Sequence, residues 1–301
     1  MDTGPAVAIR DLAKSYGAVH AVRGVTFDVA QGEIFGFLGL NGAGKTTTIR
    51  MLLDLLRPSR GSAALFGIDC HRESLKARAL VGYMPGELGL YTDMTGRALL
   101  DLLARLSGAR IDLTYRLKLT DALELARADL ERTLREYSTG MKRKLGLVQA
   151  LQTDPPLLIL DEPTEGLDPL VQESLNEILF GLRRRGRTIF MSSHVLSEVD
   201  RLCDRIGMIR NGEMVLLSTV QEARRLCGRM VRVQFSAPVN VVALPPGMTL
   251  ASSTADRWQV RVEHEIGPLL PLLAALPVRD LEIAEPALED VLRGFYREAQ
   301  S

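Results

Sequence analysis

The segment Gly39-Leu40-Asn41-Gly42-Ala43-Gly44-Lys45-Thr46 constrains this chain more than any other. It follows the apolar run Ile34-Phe35-Gly36-Phe37-Leu38, which reads as a buried strand. It precedes Thr47 to Leu56, where Ile49, Leu52, Leu53 and Leu56 share one helical face. Strand, glycine loop and helix form the context in which a G-x-x-x-x-G-K-T match carries weight. The glycines let consecutive backbone N–H groups wrap phosphate oxygens, and the helix turns its positive end toward the same anion. Lys45 is then placed to reach the β- and γ-phosphates of a nucleotide, and the Thr46 hydroxyl to ligate Mg²⁺.

A chain of 301 residues, 46% hydrophobic and 25% charged, suits a globular protein. That length fits one large domain, or a domain of about 220 residues with a small one attached. The formal net charge of +0 gives no bulk attraction to nucleic acid or an acidic membrane surface. The start, Met1-Asp2-Thr3-Gly4-Pro5, does not read as a signal peptide. The apolar stretches Leu157–Leu160 and Leu269–Leu276 are too short to span a bilayer. The expected location is cytoplasmic, or peripheral on the inner face of the cell membrane. Cys70, Cys203 and Cys227 are too few and too scattered for a metal site or a disulfide framework.

Val7-Ala8-Ile9 and Val25–Val29 read as strands, and Gln31-Gly32 turns the chain into the strand before the glycine loop. From about 72 to 151 the pattern is mostly helical. Thr95 is placed to cap a helix carrying Leu99, Leu100, Leu103 and Leu106, and a second helix is expected over Asp112–Ala128. Strands return at Leu157–Leu160 and Thr188–Met191, and Arg205–Arg210 leads into a turn at Asn211-Gly212. This is an α/β core over residues 1–225 with a helical insertion. Residues 226–301 read as a small α+β domain. Its strands are Val231–Phe235 and Trp258–Val262, and Leu288, Val291, Leu292 and Phe295 form one stripe of a last helix.

Asp161 and Glu162 follow directly on the apolar strand Leu157–Leu160. Two carboxylates at the carboxyl end of a parallel strand lie where α/β sheets bind ligands. Asp161 suits a role in holding Mg²⁺ through its water shell. Glu162 suits the general base that orients or deprotonates water.

Tyr137-Ser138-Thr139-Gly140-Met141 resembles the signature motif of ABC-type ATPases. Taken with Gly39–Thr46, Leu157–Glu162, Glu165-Gly166-Leu167-Asp168 and His194, the family's elements appear in order over about residues 6–222. The resemblance implies a RecA-like P-loop nucleotide-binding fold with a helical subdomain, ATP and Mg²⁺ as ligands, and ATP hydrolysis as the activity. It implies that Tyr16 stacks on adenine and that Gly39, Asn41, Gly42, Ala43, Gly44, Lys45, Thr46 and Thr47 hold the phosphates. Ser138 and Gly140 are expected to contact the γ-phosphate bound by a second copy. Asp168 falls in the loop that bridges the two sites, and His194 contacts the γ-phosphate. Two copies would close head to tail around ATP.

The chain departs from the family pattern in places. Thr139 and Met141 replace a common Gly and Gln in the signature. After Val81-Gly82-Tyr83-Met84-Pro85, the position that usually supplies Gln to the metal and the attacking water is Gly86. A water is expected to take the place of that amide, with the loop acting through its backbone and Glu87.

Glu285-Pro286-Ala287-Leu288-Glu289-Asp290-Val291 is similar to the ending of ATPases that serve bacterial ABC-2 type exporters of the drug and antibiotic class. The resemblance therefore implies a separate integral-membrane permease as partner, with no nucleic acid. Other readings are an importer ATPase, which usually carries Gln where Gly86 stands, a soluble ABC ATPase, and a low-turnover nucleotide-dependent regulator.

Overall fold

The computed structural model describes residues 4–89, 92–225, 228–263 and 265–284. Backbone packing divides the chain into two compact units, Met1–Leu217 and Ser218–Ser301. The division falls slightly before the expected one at 225/226.

In the first unit β1 (Val7–Tyr16) and β2 (Val19–Val29) form an antiparallel hairpin. Next comes β3 (Ile34–Leu38), buried at every position as its unbroken apolar run requires. Helix α1 (Lys45–Leu52) begins within the glycine loop and stops well before Leu56. The cause is Asp54, whose φ of 53° is left-handed and ends the helix. Strands β4 (Arg60–Leu65) and β5 (Ile68–Asp69) then complete a four-stranded sheet in the order β2-β1-β4-β5.

The stretch expected to be helical includes α2 (Ser74–Arg78) but also β6 (Val81–Met84), which joins the main sheet. Thr95 caps α3 (Gly96–Ser107) by accepting from the Ala98 N–H at 3.2 Å. Asp112 caps α4 (Leu113–Ala122), which ends short of Ala128 because Glu124 is left-handed, φ 52°. Helix α5 (Thr139–Leu151) starts at the Ser138 cap. After it, strands and helices alternate: β7 (Leu157–Asp161), α6 (Pro169–Arg184), β8 (Thr188–Ser193), α7 (Leu196–Leu202), β9 (Arg205–Arg210) and β10 (Glu213–Thr219).

The main sheet is six-stranded in the order β10-β9-β3-β8-β7-β6. Strand β3 runs parallel to β8 and β9, and β7 runs parallel to β6 and β8. This order brings the carboxyl ends of β3, β7 and β8 side by side, although they are far apart in sequence. Phe27 of β2 stacks on Phe35 of β3 with ring centroids 5.4 Å apart, and Phe37 and Phe190 join them. This aromatic cluster packs the antiparallel sheet on the main sheet and fixes the strand that leads into the glycine loop.

The second unit contains α8 (Val220–Arg225), β11 (Arg229–Phe235), β12 (Met248–Ser253), β13 (Arg257–Val262), α9 (Leu269–Ala274) and β14 (Val278–Ala284). Its strands make a four-stranded antiparallel sheet in the order β12-β13-β11-β14. Alternation buries Val231, Val233, Trp258, Val260 and Val262 with Leu269 and Leu273 of α9. The expected stripe Leu288, Val291, Leu292 and Phe295, the Glu285–Val291 motif and Cys227 lie outside the described residues.

Candidate active site

The glycine loop joins the end of β3 to α1. Gly44 is the residue before the helix, with φ 113°, and a Cβ there would stand 2.7 Å from the Ala21 carbonyl oxygen. Only glycine meets both demands. A hairpin turn far along the chain braces the loop. Asn211 and Gly212 are both left-handed, at φ 50° and 83°, as a tight two-residue turn requires. The Gly212 N–H donates to the Ala43 carbonyl at 3.0 Å, and Ala43 N–H donates to Leu40 O at 3.1 Å.

Asn41, Gly42, Gly44, Lys45, Thr46 and Thr47 line a cavity of about 350 Å³, whose opposite wall carries Asp161 and Glu162. The Lys45 ammonium is buried. It donates to the Gly39 carbonyl at 2.6 Å and lies 3.1 Å from Glu162 Oε1. A buried ammonium in such a place must be paired or solvated by carbonyls, and here it is both.

Thr46 Oγ1 donates to Asp161 Oδ2 at 2.9 Å, and the Ser192 hydroxyl donates to the other Asp161 oxygen. Asp161 is buried at the end of β7, and Ser192 lies beside it on β8 in register. Two hard oxygen donors side by side suit Mg²⁺, which takes few protein ligands and completes its shell with water and phosphate oxygens.

Glu162 has the left-handed backbone φ of 53°. Its N–H donates to Ser192 O at 3.2 Å and to Ser192 Oγ at 3.0 Å. Its Oε2 accepts from His194 Nδ1 at 2.8 Å. An ionised carboxylate only accepts, so Nδ1 carries the proton and Nε2 is left for another partner. Behind this pair, burial holds the Glu198 carboxyl above the usual carboxylate range, the charge of Glu162 acts in the same direction, and the hydroxyls of Thr164 and Ser193 pull it back. Burial, and then the charge of Asp161, push the Tyr83 phenol up to about 12.

Gly86 also lines the cavity. A Cβ there would meet Asp161 Oδ2 at 3.4 Å, an ordinary contact, and its backbone is not left-handed. Backbone geometry does not demand glycine at this position.

The other expected site residues lie away from the cavity wall. Tyr16 ends β1, is half exposed, and has the Lys14 ammonium 5.1 Å from its ring centroid. The Ser138 hydroxyl accepts from the Met141 N–H at 3.2 Å, and Gly140 is in the first turn of α5. Asp168 caps α6, accepting from Val171 N–H at 3.0 Å. That bond and Lys144 at 3.5 Å hold its carboxyl below the usual range. Sequence reading did not single out Ser192, Glu198 or Arg143. Ser192 and Glu198 flank the expected His194, but no local pattern marks what they touch.

A family model described as ABC transporter matches residues 22–165. Over 212 residues the chain is 42% identical to the Nod factor export ATP-binding protein I of Paraburkholderia xenovorans, covering 70% of this chain and 69% of that one. Over 208 residues it is 38% identical to the bacitracin transport ATP-binding protein BcrA of Bacillus licheniformis, covering 68% and 67%. A solved structure titled as the ATP-binding subunit of an ABC transporter superposes with a TM-score of 0.67 at 32% identity, covering 73% of this chain and 92% of that one.

Proposed function

We propose a transport role for this chain on one premise: it belongs to the ABC transporter family of ATP-binding proteins. It is an ATPase, and the work of that ATPase is to energise an exporter whose membrane-spanning part is a separate chain. Among the described residues no helix is long and apolar enough to cross a membrane. The relative named for Nod factor export supports export over import.

One observation carries the hydrolytic reading. The Glu162 carboxylate is held between Lys45 at 3.1 Å and His194 at 2.8 Å, beside the Thr46–Asp161 pair. In this reading the glycine-loop N–H groups and Lys45 bind the β- and γ-phosphates. Thr46 and Asp161 would hold Mg²⁺, which would supply positive charge to offset that of the phosphates. Glu162 accepts the proton of the attacking water. His194 keeps Glu162 aimed through Nδ1 and meets the γ-phosphate through Nε2, for which both ring nitrogens carry protons. Tyr16 stacks on the adenine.

Ser138 and Gly140 meet the γ-phosphate of a second copy, and Asp168 bridges the two sites. Each copy carries its own Glu162 and His194, so a homodimer suffices. Closure around ATP is then a rigid-body step driven by differential contacts in the closed state.

An apolar groove of about 380 Å³ is lined by Leu53, Leu55, Leu88, Leu99 and Leu103, and shares Tyr83 and Pro85 with the phosphate cavity. It suits a short apolar helix of the permease, and the shared loop would pass movement between the two.

The test is a pull-down of tagged Glu162→Gln protein from native membranes with and without Mg·ATP. Recovery of a polypeptide with several apolar spans of about 20 residues each supports the exporter reading. Recovery from the soluble fraction alone rejects it in favour of a soluble ATPase or regulator.

A further inference from the structure

Arg143 is buried one turn into α5, yet nothing in the hydrolytic scheme uses it. Its Nη1 donates to the backbone carbonyl of Glu162 at 2.9 Å, and its Nη2 donates to Glu165 Oε2 at 2.6 Å. The first two turns of α5 approach the same segment at two more points. A Cβ on Gly140 would stand 3.4 Å from the Gly166 carbonyl oxygen, and Lys144 lies 3.5 Å from Asp168.

Glu162 needs such a grip. Its left-handed backbone is costly for a residue with a side chain, and such conformations persist where the surroundings over-determine them. Ser192 fixes the N–H side of the residue, and Arg143 fixes the carbonyl side. A charged donor makes the stronger kind of hydrogen bond to a carbonyl, and a fork of two donors also sets the angle. Glu165 holds the other side of the fork: its carboxylate accepts from Nη2 and so keeps Nη1 turned toward the Glu162 carbonyl.

We propose that Arg143 is a positioning residue for hydrolysis: it locks the strained backbone of Glu162 so that the carboxylate points at the water. The inference rests on the reading of Glu162 as general base. Arg143 does not line the phosphate cavity, and it acts on hydrolysis through the backbone of Glu162.

The test is steady-state ATP hydrolysis by Arg143→Met, Arg143→Lys, Glu162→Gln and the double variant Arg143→Met/Glu162→Gln. Arg143→Met is expected to lower kcat between about tenfold and 10²-fold, the cost of slightly misplacing a catalytic group. KM for ATP is expected to stay within about twofold, because the phosphate loop is untouched. Arg143→Lys, with one donor point in place of a fork, should recover part of the rate. The double variant should be no slower than Glu162→Gln alone, and Glu162→Gln should keep its Mg·ATP-driven dimer with or without Arg143.

A rise in KM at unchanged kcat overturns the proposal. So does an additive loss in the double variant, which would mean that Arg143 supports the fold or the signature instead. Should Arg143→Met fail to fold, Arg143→Lys in the same cycle with Glu162→Gln decides by the same criteria. If hydrolysis does not depend on Glu162, the reading of the base fails. If it depends on Glu162 but ignores Arg143, only this inference fails.

Discussion

His194 donates to the same oxygen of Glu162 twice, through Nδ1 at 2.8 Å and through its backbone N–H at 3.3 Å. The residue after β8 therefore holds the carboxylate that follows β7, and Lys45 holds its other oxygen. A carboxylate gripped at both oxygens is pre-aimed, so little reorganisation is needed at the moment of reaction.

Glu162→Gln keeps the shape but removes the base. Nucleotide binding is expected to remain, while the hydrolysis rate falls by roughly 10²–10⁴. Single-turnover hydrolysis alongside equilibrium ATP binding checks both halves, and retention of most of the rate would remove Glu162 from its role.

Gly86→Gln restores the amide that the family usually places at this loop. The added Cβ meets Asp161 Oδ2 at 3.4 Å, so the loop accepts it without a clash. Basal hydrolysis is expected to change by no more than about tenfold, below the contribution of a general base. A far larger gain would show that Gly86 holds the natural site back.

Thr46→Ala removes one of the paired oxygens and leaves Asp161 Oδ2 without its hydroxyl donor. The Mg²⁺ concentration for half-maximal hydrolysis should rise by at least about tenfold, the lower end for losing even an outer-shell partner. Thr46→Ser, which keeps the hydroxyl, should stay near the natural value. A Mg²⁺ titration showing the two variants alike would refute the assignment.

Glu198 has its carboxyl raised by burial, with the charge of Glu162 adding to it. A raised carboxyl stabilises the fold fully below its unfolded value of about 4.3, and that stability is lost as pH rises through the folded value. The natural chain should therefore gain melting temperature relative to Glu198→Gln as pH falls from about 7 to about 4.3. Thermal melts of both chains across that range decide it, and a flat or inverted difference counts against a raised carboxyl.

The sequence by itself determined the parts that are local. The phosphate loop was legible because strand, loop and helix are contiguous between Ile34 and Leu52. Asp161 and Glu162 were legible because they end an apolar run, and the strands of the second unit because they alternate. Boundaries were less legible, since a single left-handed residue, Asp54 or Glu124, ends a helix that periodicity would continue.

Tertiary structure decided what meets across the sheet. The order β3-β8-β7 sets Ser192 against Asp161, although 31 positions separate them. The packing of α5 sets Arg143 against the Glu162 carbonyl, and the hairpin at Gly212 braces Ala43. Burial periodicity records which side of an element faces inward, and a local motif records its own loop. Neither records which distant strand becomes a neighbour, because that follows from packing the whole core, here around Phe27, Phe35 and Phe190.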